Sequence, residues 1–206
     1  MFFFLILLFF YMEIAKKICK EMLTQRHWIV DDHQSPHIDD IIEADHNGSD
    51  PPLDYFTGMT APLLVNTELT KPPEHYIVFM LAGVKLNIAN VKECIKILDQ
   101  IKSKYCIIIY NNNITSSAKR VLTNFIDVVF EMFTVNELQY NITTHILVPE
   151  HICLNPTEQE LFIAKMGIDI PILHKTDPVC RFCNFQKGSI IKVLRRDKSV
   201  SYRFVK

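Results

Sequence analysis

Residues 75–133, HYIVFMLAGVKLNIANVKECIKILDQIKSKYCIIIYNNNITSSAKRVLTNFIDVVFEMF, alternate short apolar runs with longer segments of helical period. The runs at 75–82 (HYIVFMLA), 105–110 (YCIIIY) and 127–133 (DVVFEMF) have the length and residue types of strands. Between them, 88–101 and 114–125 repeat their apolar positions at helical spacing, the second opened by Thr115, Ser116 and Ser117. Strand alternating with helix implies βαβ units, whose crossovers place parallel strands in one sheet covered on its faces. The spacing predicts an α/β domain around this stretch.

Upstream, residues 13–25 set Ile14, Ile18 and Met22 with Ala15, Cys19 and Leu23 on one side of a helix, and Lys16, Lys17, Lys20 and Glu21 on the other. The segment 31–54 holds eight acids, no base and the pair Pro51-Pro52, which reads as a short helix inside loop. Before the helix stands MFFFLILLFFYM, apolar throughout. Twelve helical residues rise only ~18 Å against a bilayer core of ~30 Å, so this is no ordinary transmembrane span. It has no basic residue before its apolar stretch, as a secretory signal would, and Glu13 follows it at once. We expect residues 1–11 to be an apolar leader outside the native fold, with Met12 as the working start, 12–140 as one domain and 141–206 as a second.

In that second part the rhythm changes. Asn155 is an N-cap with Pro156 after it and Glu158 and Glu160 near the first turn, and Gly167 ends the helix. Thr176-Asp177-Pro178 repeats the device for a short helix through Phe182, Lys187-Gly188 makes a turn, and 189–194 and 201–205 read as a closing strand hairpin. The expectation is a small α+β unit. The whole chain reads as α+β with two domains.

Composition narrows the chemistry. Of 206 residues 49% are hydrophobic and 22% charged, a folded globular balance. Five scattered glycines exclude the G-x-G-x-x-G and Walker phosphate cradles. The net charge of −1 divides into −6 over 1–73, +1 over 74–144 and +4 over 145–206. Between 186 and 206, seven bases face Asp197 alone, a strip suited to nucleic acid, to an acidic protein surface, or merely to solvent. Six cysteines without a regular framework read as reduced, buried thiols.

Three kinds of chemical site are conceivable. Cys180-x-x-Cys183, with His174, His145, His151 and Cys153 in the same region, resembles half of a zinc site, but the two thiols also fall at i and i+3 of a helix, where they pack inward. No local signature marks a Cys/His nucleophile pair. Asp127 and Glu131 on one strand suggest the magnesium-binding carboxylates of nucleases, but the lysine such a site needs is absent, and strand alternation places Glu131 on an exposed face. No catalytic residue, metal or cofactor is expected.

A family pattern runs through His145-Ile-Leu-Val-Pro-Glu-His151, then Thr176-Asp177-Pro178, Lys187-Gly188, Ile190-Ile-Lys-Val-Leu-Arg195 and Tyr202-Arg203. In this order the elements resemble the fifth subunit shared by eukaryotic nuclear RNA polymerases, whose C-terminal part is similar to a small component of archaeal RNA polymerase. Upstream, Asn112-Asn113-Ile114-Thr115-x-Ser117-Ala118 and Asn141-Ile142-Thr143 are also similar to that family, so the resemblance spans about 13–206. It implies a restriction-endonuclease-like N-terminal jaw domain without an active site, near downstream DNA, and a C-terminal assembly domain that docks on the largest subunit. By the resemblance His145, Val148, Pro149, His151, Asp177, Pro178, Gly188, Lys192, Arg195 and Arg203 map to the assembly module. Implied partners are the other polymerase subunits and, indirectly or weakly, DNA, with Lys119 and Arg120 the DNA-proximal candidates; no membrane and no small-molecule substrate is implied. The implied compartment is the nucleus, or a viral factory or virion for a large DNA virus. Two loops, at 167–171 and 195–202, are shorter than the family pattern. The rival reading is a standalone nucleic-acid-binding protein using the 187–206 strip, with or without zinc.

Overall fold

A computed structural model describes residues 2–31, 54–59, 63–65, 68–71, 74–81, 86–111 and 113–206. The chain divides into two units, Met1–Tyr140 and Asn141–Lys206. The helix and loop expected within 31–54, and Asn112 of the family pattern, lie outside the described residues apart from the two ends of that segment.

In the first unit, β5 (His75–Leu81), β6 (Tyr105–Tyr110) and β7 (Val129–Thr134) are parallel neighbours, joined by α2 (Ile88–Ile101) and α3 (Ser116–Asn124). Asn87 starts α2 with a reciprocal cap: its side chain accepts from the Asn90 N–H at 3.0 Å, and the Asn90 side chain accepts from the Asn87 N–H at 3.2 Å. Thr115 caps α3 through the Ala118 N–H. The β6 run is apolar at consecutive positions because both faces of the sheet are covered. Ile77, Phe79, Cys106 and Ile108 pack with Val91, Cys94, Ile97 and Leu98 of α2 and Ala118 and Leu122 of α3. Tyr76, Val78, Ile107 and Ile109, the alternate residues, are equally buried.

The sheet is mixed, where βαβ units alone imply parallel pairing. Two further strands, β1 (Ile29–Asp31) and β2 (Asp54–Met59), extend it antiparallel in the order β1-β2-β5-β6-β7. A separate hairpin pairs β3 (Leu63–Val65) with β4 (Glu68–Lys71). The helix expected over 13–25 instead begins at Phe2 and runs to Gln25 as α1. The apolar leader is continuous with it, because nothing in 1–12 is a breaker or a cap. Of the side chains described at this end of the helix, Phe9, Phe10 and Tyr11 are exposed and Met12 is buried. Ala15, Cys19, Met22 and Leu23 are buried, whereas Ile14, expected on the same stripe, is exposed. Among the described residues no helix is long and apolar enough to cross a membrane.

Where α1 ends, Arg26 donates from both terminal guanidinium nitrogens to Glu131 of β7, at 3.0 and 2.8 Å. This corrects the expected exposure of Glu131: the side chains of Arg26 and Glu131 are only 3% and 18% exposed. Strand alternation does put Glu131 on the face away from α2 and α3, beside Ile107, but α1 covers that face. The Arg26 guanidinium also lies 5.5 Å over the Trp28 ring, which packs against Tyr76 and Tyr105. The Tyr76 hydroxyl donates to the Ile29 carbonyl at 3.0 Å, tying the start of β1 to the sheet.

The second unit is a four-stranded sheet, β8 (Glu150–Cys153), β10 (Ile190–Leu194), β11 (Val200–Val205) and β9 (Ile172–Leu173) in that order, antiparallel except for β11 with β9. Ile191, Val193 and Val205 form its core with Cys180 and Phe185. Helix α4 (Pro156–Met166) begins with a reciprocal cap between Asn155 and Glu158, each bond 2.9 Å, and ends at Gly167 with φ 74°. Its Gln159 is bonded to the sheet, accepting from the Ile190 N–H at 3.3 Å, and its Phe162 packs on Tyr202 with ring centroids 4.4 Å apart.

Candidate assembly cleft

Short helix α5 (Pro178–Phe182) is started by Asp177, whose Oδ1 accepts from the N–H groups of Val179 at 2.9 Å and Cys180 at 3.4 Å. The carboxylate satisfies donors that open a helix, and Pro178 brings no N–H that would need a partner. Replacing Asp177 with alanine is expected to cost about 1 kcal/mol of unfolding free energy, read by urea titration; a cost near zero would show that water caps the turn equally well. Gly188 sits at φ 88° with open space around the position a side chain would take, so the backbone turn, and not crowding, requires glycine there. Its N–H donates to the Val205 carbonyl at 2.9 Å and so holds the turn onto β11.

These devices frame a cleft of about 510 Å³, lined by Pro149, His151, Ile172, Leu173, His174, Thr176, Asp177, Val193, Arg195 and Arg203. Five of the ten residues expected in the assembly module line it: Pro149, His151, Asp177, Arg195 and Arg203. Strand register explains the grouping. His151 lies opposite Val193 and Ser201 opposite Val193 from the other side, while Arg203 lies opposite Ile191, so all share one sheet face. His151 is oriented by its Nδ1–H, which donates to the Pro149 carbonyl at 2.8 Å.

The other expected residues are elsewhere in the unit. His145 ends a 3-10 turn and is exposed, its Nδ1 accepting from the Leu147 N–H at 3.2 Å; Val148 follows, its N–H donating to the His145 carbonyl. Pro178 is exposed at the start of α5. Lys192 pairs in register with Ile152 and Tyr202, so it projects from the face that carries α4. The basic strip of 187–206 is therefore split between the two faces of the sheet. Lys119 and Arg120 are exposed on α3 of the first unit.

Cys180 is buried in the core, its Sγ 3.7 Å from the Phe185 carbonyl, and Cys183 follows α5 as its C-cap. Among the described residues no group of three His, Cys, Asp or Glu side chains converges as a metal site would need. The apolar lining, Ile172, Leu173 and Val193, is absent from the sequence expectation, since nothing in the pattern distinguishes a cleft wall from core.

Residues 140–205 match the family model described as RNA polymerase Rpb5, C-terminal domain. That match takes in nearly the whole of the C-terminal unit. The match spans both strands of the hairpin, the Asp177-Pro178 helix start and the whole of the cleft lining. Over 142 residues the chain is 28% identical to "DNA-directed RNA polymerases I, II, and III subunit rpabc1" of Dictyostelium discoideum, covering 64% of this chain and 72% of the relative. The corresponding subunits of Caenorhabditis briggsae and Caenorhabditis elegans are each 27% identical over 142 residues, 65% of this chain and 67% of theirs. These homologues are subunits of DNA-directed RNA polymerase, as the ordered C-terminal elements led us to expect.

Proposed function

We propose that this chain is a non-catalytic subunit of a nuclear multisubunit DNA-directed RNA polymerase. Its C-terminal unit, 141–206, docks on the largest subunit, and its N-terminal unit, from about residue 12 to 140, forms part of the jaw near downstream DNA. The observation that carries this reading is the match of 140–205 to the Rpb5 C-terminal domain. The N-terminal fold is consistent with a restriction-endonuclease-like domain that has lost its chemistry, because Glu131, on the strand where a catalytic carboxylate would be sought, is engaged by Arg26. His145, Val148, Pro178, Gly188 and Lys192 then act in assembly alongside the cleft residues, and Lys119 and Arg120 approach DNA phosphates as point charges.

Affinity purification of the tagged full-length chain from its own cells tests this. The two largest polymerase subunits should be recovered in near-stoichiometric amount. Reversal of Lys119 and Arg120 to glutamate should leave that recovery unchanged while reducing photo-cross-linking to downstream DNA. Purification of the chain alone, with DNA binding intact, would favour a standalone nucleic-acid-binding protein instead.

A further inference from the structure

We propose that the C-terminal cleft receives an acidic peptide segment of the partner subunit, with Arg195 and Arg203 holding one of its carboxylates. This rests on the subunit reading above and specifies the chemistry of that docking. Arg195 and Arg203 enter one concavity from the end of β10 and from β11. Among the described residues neither guanidinium has a carboxylate within ion-pair distance or a hydrogen-bond acceptor. Asp177, the one acid in the lining, is already committed to the N–H groups of Val179 and Cys180. The lining thus holds two arginines against one acid. A guanidinium fork matches a carboxylate with two parallel hydrogen bonds, so an aspartate or glutamate side chain completes what the free chain leaves open.

A further donor lies on the same sheet face, outside the cleft lining. The Ser201 hydroxyl, opposite Val193 and two residues from Arg203, is buried without a hydrogen-bond partner. Such a group is costly until an acceptor or a local shift satisfies it. The wall of Ile172, Leu173 and Val193 favours peptide over nucleic acid, since a phosphodiester backbone offers nothing apolar to lay against it, whereas an acidic residue beside an aliphatic one fills both parts. Asp177 also repels a run of phosphates more than it repels a single carboxylate already paired with arginine.

The test uses the tagged full-length chain in its own cells, with Arg195→Glu/Arg203→Glu, the conservative Arg195→Lys/Arg203→Lys, and Lys187→Glu as a charge control outside the cleft. Recovery of the largest subunits is measured against salt concentration. The double glutamate variant should lose roughly tenfold or more of the recovery, the lysine variant should lose less, and Lys187→Glu should match wild type. Carbodiimide treatment of the lysine-variant complex should link position 195 or 203 to an aspartate or glutamate of a partner subunit, located by mass spectrometry. Wild-type recovery in the double glutamate variant would overturn the cleft assignment and leave the subunit reading standing. So would loss of DNA binding with subunits retained, which would make the cleft a phosphate site. Failure of the wild-type chain to recover any polymerase subunit would instead remove the reading on which the proposal rests.

Discussion

Replacing Glu131 with alanine is expected to lower the unfolding free energy by about 3–5 kcal/mol, the usual cost of breaking a buried ion pair from one side. The size follows from what remains. The Arg26 side chain is 3% exposed, so a buried guanidinium loses two hydrogen bonds of 3.0 and 2.8 Å to the carboxylate. Removing both partners, as in Arg26→Met with Glu131→Leu, should cost much less, because no charge is then left behind. Trp28 is the single tryptophan of the chain and lies 5.5 Å from the Arg26 guanidinium carbon, so its fluorescence during urea titration reports on the pair directly. Equal losses in the single and double variants would mean that packing, and not the guanidinium's lost bonds to the carboxylate, sets the cost. The pair matters to the proposed function because it fastens the end of α1 to β7, the strand that precedes the last turn of the N-terminal unit.

The sequence pattern made some parts of this fold legible and hid others for definite reasons. Strand β6 and helix α2 were legible to the residue, because YCIIIY is bounded by polar residues and Asn87 and Lys102 close the helical period. Strands β1 and β2 were not. Ile29–Asp31 is three residues long, and Asp54–Met59 follows two prolines and contains Gly58, so neither has a local signature; their place comes from pairing with distant strands. Glu131 illustrates the same limit at the level of a side chain. Its alternation was correct, but its partner lies 105 positions away in sequence, and only the folded chain shows that α1 covers that face. In the cleft, Asp177 and Gly188 were visible because caps and positive-φ turns demand particular residue types. Ile172 and Leu173 were not, because a two-residue edge strand carries no period and an apolar wall looks like core.

Alkaline pH should unfold the N-terminal unit through its thiols. Burial pushes Cys19 from an ordinary value of 9.0 up to about 12, with Arg26 opposing and Glu131 adding to the rise. Burial likewise raises Cys94 to about 12, and Cys106 beside it is raised well above its ordinary value. In each case the folded chain retains a proton that the unfolded chain releases more readily. Below pH 9 both states hold it and the full stability is present; as pH climbs from 9 to 12 the unfolded state gains by ionising, and stability falls. At ~1.4 kcal/mol per pH step of one, Cys19 and Cys94 contribute a loss on the order of 4 kcal/mol each across that whole range, enough together to exhaust an ordinary margin of stability. Wild-type protein should therefore lose much more stability between pH 8 and 11 than a Cys19→Ala/Cys94→Ala variant, with urea midpoints compared at each pH under reducing conditions. The variant begins lower at pH 8 because it leaves small cavities, so the difference between the two slopes, and not either midpoint, is the decisive quantity. Parallel slopes would assign alkaline unfolding to tyrosine and lysine titration instead. The same burial predicts the order of thiol labelling in the native chain: exposed Cys153 reacts first, while Cys19, Cys94, Cys106 and Cys180 wait for local or global opening.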